Sequence, residues 1–131
     1  MKKLIITLFA AAGAIFSAAA QGFPSEIYSG AWNSGHVQGI AVDKAEGAVY
    51  FSYTDVIVKT DFQGNVIGTV TGLLGHLGCL DFNEEDGLIY GSLEYKDDVI
   101  GQGILKRNKS DLKYENTFYI AIIDGKKMAI K

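Results

Sequence analysis

The apolar positions of this chain fall into short runs cut off by glycine and acidic residues. "GIAVD" (39–43), "AVYFSY" (48–53), "VIVKT" (56–60) and "NVIGTV" (65–70) are each five or six residues long and rich in β-branched and aromatic side chains. Runs of that length and composition predict β-strands. "KAEG" (44–47) and "DFQG" (61–64) predict the turns between them, each closed by a glycine that can take positive φ. "GIAVD" has almost no polar alternation, which predicts a strand buried on both faces. After residue 20, no segment shows ten or more residues of helical period. The pattern is that of an all-β domain.

The pattern also repeats. "GHVQGIAVDKAEGAVY" (35–50) and "GHLGCLDFNEEDGLIY" (75–90) are one 40-residue step apart. Gly35 falls on Gly75, His36 on His76, Asp43 on Asn83, Glu46 on Asp86, Gly47 on Gly87, Val49 on Ile89, Tyr50 on Tyr90 and Ser52 on Ser92. The agreements sit where turn geometry and strand facing need them. Four short antiparallel strands in about 40 residues make the unit of a β-propeller blade. The expected architecture is therefore all-β, built from four-stranded antiparallel blades of a partial β-propeller, about two to three blades in extent. One blade spans 35–74 and an expanded, incomplete one spans 75–131, with a leading strand around "SEIYSGAWN" (25–33). A single sandwich with similar hairpins is the alternative.

In the second copy, "YIAIID" (119–124) reads as the third strand, which sets Asp124 on Asp61. The His-to-Asp distance is 25 residues in the first copy and 48 in the second, so 23 extra residues lie within 94–117. So long a connection is functional or mobile as a rule. The bland reading is a further hairpin through "VIGQGILKR" (99–107). The second copy lacks its last strand. Because a blade buries its faces only against neighbours, such a chain is expected to belong to a larger propeller or a truncated frame, and to self-associate through exposed sheet edges.

"GIAVDKAEGAVYFSYTDVIVKTDFQGNVI" (39–67) resembles the NHL-type propeller repeat, with its Gly-apolar-Ala-Val-Asp strand, glycine turn and late Asp-x-x-Gly turn. It is also similar to the six-bladed fold of the senescence-marker/gluconolactonase family. The resemblance covers about residues 35–95 and implies a propeller whose entry and second-to-third-strand loops meet at a channel rim. His36, His76, Tyr53, Asp55, Glu94, Tyr95, Asp97 and Asp98 would then share that rim as candidate ligand-binding residues. The gluconolactonase likeness implies a divalent cation in the channel. No motif of that family maps onto Glu94, Asp97 and Asp98, which read more simply as solvated loop charge beside Lys96. The His pair reads more simply as a turn lock.

The remaining features narrow the setting. Lys2 and Lys3, an apolar run over 4–16, and Ala18 and Ala20 before Gln21 predict a cleavable signal peptide over 1–20 and an exported chain: periplasmic, cell-surface or extracellular. A single membrane span is the rival reading. Removing 1–20 leaves ten basic against fifteen acidic residues, which argues against nucleic acid or an anionic membrane as partner. Cys79 is the only cysteine, so an internal disulfide and a Cys₄ or Cys₂His₂ zinc site are excluded; its apolar setting predicts a buried, inert thiol. "DFNEEDG" (81–87) fails the EF-hand spacing and reads as a strand end and turn. "NKS" (108–110) is a glycosylation sequon that matters only in a eukaryotic secretory route. Phe23, Tyr28 and Trp32 read as core or interface anchors more than as a sugar-stacking surface.

No nucleophile elbow, phosphate loop or triad is present. The leading expectation is a secreted propeller-type binding or scaffold protein for a small molecule, glycan or protein, non-catalytic in this segment and without a cofactor. The alternative is a metal-dependent lactonase or hydrolase whose site is completed beyond residue 131, and the third is a non-functional remnant.

Overall fold

The computed structural model describes residues 24–130. The predicted signal segment, its cleavage point and Phe23 lie outside the described residues. Two antiparallel sheets account for most of the regular structure. The first comprises β1 (Gly39–Asp43), β2 (Ala48–Ser52), β3 (Ile57–Asp61) and β4 (Val66–Val70), in that spatial order. The second comprises β5 (His76–Asn83), β6 (Leu88–Tyr95) and β7 (Thr117–Ile123), with helix α1 (Val99–Arg107) between β6 and β7.

The 40-residue step is a repeated hairpin register. Asp43 faces Ala48, Val42 faces Val49 and Ala41 faces Tyr50 in the first sheet; Asn83 faces Leu88, Phe82 faces Ile89 and Asp81 faces Tyr90 in the second. The turns close alike. Asp43 Oδ1 accepts the Ala45 and Glu46 amides at 3.0 Å, and Asn83 Oδ1 accepts the Glu85 amide at 3.0 Å. Gly47 (φ 66°) and Gly87 (φ 71°) take the left-handed conformation that ends each turn. Beyond the insertion the step becomes 63 residues: Lys59 faces Tyr50 as Ile122 faces Tyr90. Asp61 and Asp124 therefore occupy matching places, and each uses Oδ1 to accept an amide two residues on, from Gln63 and Lys126.

The sheets stack face on face, with Ala41, Ala48, Tyr50 and Ile57 of the first against Leu77, Leu80 and Ile89 of the second. Tyr50 stacks on Phe82 at 6.3 Å. Gly39 lets β1 approach β5, since a Cβ there would sit 2.6 Å from the Leu80 amide nitrogen. On the other side of the first sheet, Val49, Phe51, Tyr53 and Val58 are covered by Ile27, Trp32 and Val37. Each large side chain so buried contributes roughly 1.5–3 kcal/mol.

Four expectations are corrected. Burial on both faces belongs to β2 and β3, whereas Ile40 in β1 is 56% exposed, because β1 ends the sheet and has a strand on one side only. "SEIYSGAWN" forms no strand; it runs as irregular cover with Tyr28 exposed. "VIGQGILKR" is helix α1 and not a hairpin, because Asp98 Oδ1 caps it by accepting the Ile100 and Gly101 amides while Ile104 and Leu105 are buried. Cys79 is exposed, as a register shift between Leu77 and Leu80 turns it outward toward Ser92. After β7 the chain makes a 3₁₀ turn, Gly125–Lys127, and Ala129 then bridges to Thr69 of β4, so the described part of the second sheet has three strands. Among the described residues no helix is long and apolar enough to cross a membrane.

Candidate functional site

The end of the sheets opposite the 44–47 and 84–87 turns gathers most of the residues singled out from sequence. The starts of β1, β3, β5 and β7 and the ends of β2 and β6 meet there, as antiparallel register requires. The Leu77 amide donates to the Thr54 carbonyl at 2.8 Å and ties the second sheet to the β2–β3 loop of the first.

His76 opens β5. Its Nε2 lies within hydrogen-bond reach of the Gln38 side-chain amide, 2.8 Å from Oε1. Nδ1 faces Glu94 Oε2 at 4.0 Å. Gln38 is itself oriented by donating to Thr54 Oγ1 at 3.1 Å. His36 has different surroundings: it stands exposed in the bend after Gly35 (φ 86°), three residues before β1 begins. β5 starts at the matching position, so the two Gly-His segments differ although the hairpins after them do not.

Tyr53 is buried, not on a rim. Its hydroxyl is 2.8 Å from Ser29 Oγ, and its ring packs 6.3 Å from Trp32. Asp55 is 3% exposed and anchors the insertion. Its Oδ2 accepts from Arg107 Nε and Asn108 Nδ2, each at 3.0 Å, and its Oδ1 accepts from Ser34 Oγ. Burial pushes the Asp55 carboxyl up, but the Arg107, Ser34 and Asn108 hydrogen bonds outweigh it and hold the group below its ordinary value. The carboxylates of "EYKDD" are divided among separate tasks: Glu94 faces His76, Asp97 accepts from Gln102, and Asp98 caps α1 beside Lys96 at 3.5 Å. The cap amides, Gly101 foremost, keep Asp98 below the ordinary carboxylate range. Among the described residues no three His, Cys, Asp or Glu side chains gather to hold a metal ion. The described residues therefore do not by themselves form the divalent-cation site that the gluconolactonase likeness implies.

The insertion builds a cleft instead. Residues 108–116 return from α1 across the end of the second sheet and leave a shallow, solvent-open cleft of about 510 Å³ between Leu112–Glu115 and the inward side chains Leu93, Tyr95, Thr117 and Tyr119. That volume suits a small molecule. Tyr95 is edge-on to Tyr114 (5.6 Å, 79°) and to Tyr119 (5.7 Å, 88°). Tyr114 is fixed by donating to the Leu74 carbonyl, and burial raises its pKa. Tyr119 remains 54% exposed, and Lys113 and Glu115 bring one charge of each sign. The sequence pattern singles out Tyr95 but not Tyr114 or Tyr119. Their signal is faint: Tyr114 is the only aromatic in the polar run "SDLKYENT", and Tyr119 reads as an ordinary strand residue.

Compared with known proteins, the chain matches no family model, and no curated protein or solved structure gives a significant match.

Proposed function

We propose that this chain is an exported, non-catalytic binding module built on propeller-type sheets, and that its ligand is a ring-shaped small molecule or glycan unit held in the tyrosine cleft. The propeller reading draws support from the sense of the stacking. The Tyr50 face of the first sheet meets the Ile89 face of the second, while Tyr90, one step on from Tyr50, faces away. Successive sheets are thus related by a step and not by a mirror-like apposition, as in blades around an axis.

The observation that carries the binding reading is the trio Tyr95, Tyr114 and Tyr119. Rigid rings with polar hydroxyls offer a flat apolar ligand face a stacking wall at low entropic cost. Thr117, Lys113 and Glu115 add donors and acceptors for hydroxyl groups at its edge. A metal-dependent hydrolase would need several oxygen or nitrogen ligands around one point, and no described cluster favours that reading.

Saturation-transfer NMR against a panel of mono- and oligosaccharides and small aromatic compounds tests this. Binders are expected, and Tyr119→Ala should weaken them by about tenfold, the scale of one aromatic anchor. The reading fails if no compound shows transfer, or if Tyr119→Ala binds like the parent.

A further inference from the structure

We propose that the cavity between the end of α1 and the 32–34 cover is a second binding site, one that takes a ring-bearing carboxylate, with the Arg107 guanidinium receiving the carboxylate and the Trp32 ring packing on the apolar body. It shares no lining residue with the tyrosine cleft and is independent of it.

The cavity has a volume of about 230 Å³, and its walls come from four stretches of chain. Trp32 and Asn33 come from the cover before β1, Asp55 from the β2–β3 loop, Thr71 from the chain leaving β4, and Arg107 and Asn108 from the end of α1.

The chemistry follows from which groups are already engaged. Asp55 is buried and occupied at both oxygens: Oδ1 accepts from Ser34 Oγ, and Oδ2 accepts from Arg107 Nε and Asn108 Nδ2 at 3.0 Å each. It therefore serves as a clamp on the guanidinium and not as a ligand for a cation. The clamp takes only Nε. Among the described residues the two terminal nitrogens of Arg107 make no hydrogen bond or ion pair, and their four N–H groups lie in one plane. The Arg107 side chain is 36% exposed against 4% for that of Asp55, so the unused fork is open to a ligand. A planar fork held at its far edge is the group that matches a carboxylate with two parallel hydrogen bonds. Asn33 and Thr71, both exposed, add donors at the mouth.

The charge balance favours a monoanion. Asp55 and Arg107 offset one another, and the C-terminal end of α1 is the negative end of its dipole, so a dianion such as phosphate meets more repulsion than a carboxylate. Lys106 and Lys109 lie beside Arg107 in sequence and draw anions to this corner of an otherwise acidic chain. Trp32 supplies the apolar wall. Its Nε1 donates to the Ser29 carbonyl at 2.8 Å and its ring lies 6.3 Å from that of Tyr53, so the indole is held before a ligand arrives.

Trp32 is the only tryptophan of the chain, so its fluorescence reports on this cavity and not on the tyrosine cleft. Titration of the purified full chain with cyclohexanecarboxylate, followed by Trp32 emission and by calorimetry, should show binding with a Kd of about a millimolar or below. Cyclohexanecarboxamide, the same shape without the charge, should bind about tenfold more weakly or worse, and inorganic phosphate likewise. Arg107→Lys keeps a cation beside Asp55 but loses the fork, and should weaken the carboxylate about tenfold. Asn33→Asp leaves the Asp55 clamp untouched and sets a negative charge at the mouth, so it should weaken binding about fivefold or more. Near-ultraviolet circular dichroism checks the fold of both variants, and the exposed Asn33 position keeps the test decisive if Arg107→Lys does not fold. The proposal is overturned by a chain that binds no carboxylate, by equal binding of the amide, or by a folded Arg107→Lys or Asn33→Asp variant that binds like the parent. Phosphate binding more tightly than the carboxylate overturns the choice of a monoanion.

Discussion

Asp55 joins parts of the chain far apart in sequence. One carboxylate in the β2–β3 loop holds Ser34 before β1 and both Arg107 and Asn108 at the end of α1. Because its folded pKa is lowered from an ordinary value of about 3.9, its contribution is complete above roughly pH 4 and is lost as pH falls through the folded value. Urea midpoints measured from pH 6 down to pH 2.5 should therefore drop in the acid range. In Asp55→Asn the drop should be shallower but still present, since Asp61, Asp86, Asp98 and Asp124 are lowered too. At neutral pH Asp55→Ala should cost about 3 kcal/mol, at the low end for a broken buried pair because the Arg107 side chain is 36% exposed. Equal acid slopes for parent and Asp55→Asn would refute this. At this scale the sequence is a partial guide. It marks Asp55 and Tyr53 as notable, but exposure follows from which strand or loop packs above a residue, and that is set by partners distant in the chain.

At the level of elements, glycine separates the places where backbone meets backbone from those where it merely weakens a helix. Gly39 faces Leu80 and Cys79 of the neighbouring sheet, and those contacts are main-chain atoms that cannot swing aside. Gly39→Ala should destabilise by about 1–3 kcal/mol through forced separation of the sheets. Gly103, inside α1, has open space for 4 Å around the point where a methyl group would stand. It should respond oppositely, with Gly103→Ala gaining about 0.5–1 kcal/mol. Chemical denaturation of the two variants checks the contrast, and a same-sign result would contradict the packing described. The hairpins are legible because Asp43 and Asn83, with Gly47 and Gly87, encode their own turns locally. Helix α1 is not, because nine residues with two glycines between the apolar pairs Val99-Ile100 and Ile104-Leu105 resemble a strand pair until the Asp98 cap and the burial of Ile104 and Leu105 decide the matter.

For the whole molecule, protection should be graded from the middle outward. β2 and β3 lie between the second sheet on one side and the 27–37 cover on the other, while β7 has a bare face and a bare edge. Hydrogen exchange followed by mass spectrometry at low protein concentration should find β2 and β3 slowest and β7 faster. Uniform protection across both sheets would argue against so uneven a structure. The repeat makes the two-sheet organisation readable in advance, down to the equivalence of Asp61 and Asp124. The return of Ala129 to β4 is unreadable, since it depends on a tail meeting a strand sixty residues earlier in the chain.

The registers before and after the 96–116 detour are the same, although the two copies differ there by 23 residues. Chain length at that point is thus uncoupled from strand alignment: whatever is spliced in, Tyr90 still meets Ile122 as Tyr50 meets Lys59. A foreign peptide grafted after Asp111, past the Arg107 and Asn108 anchors to Asp55, would be displayed on a frame whose strand alignment it does not set, so this connection can change its cargo while the sheets stay put.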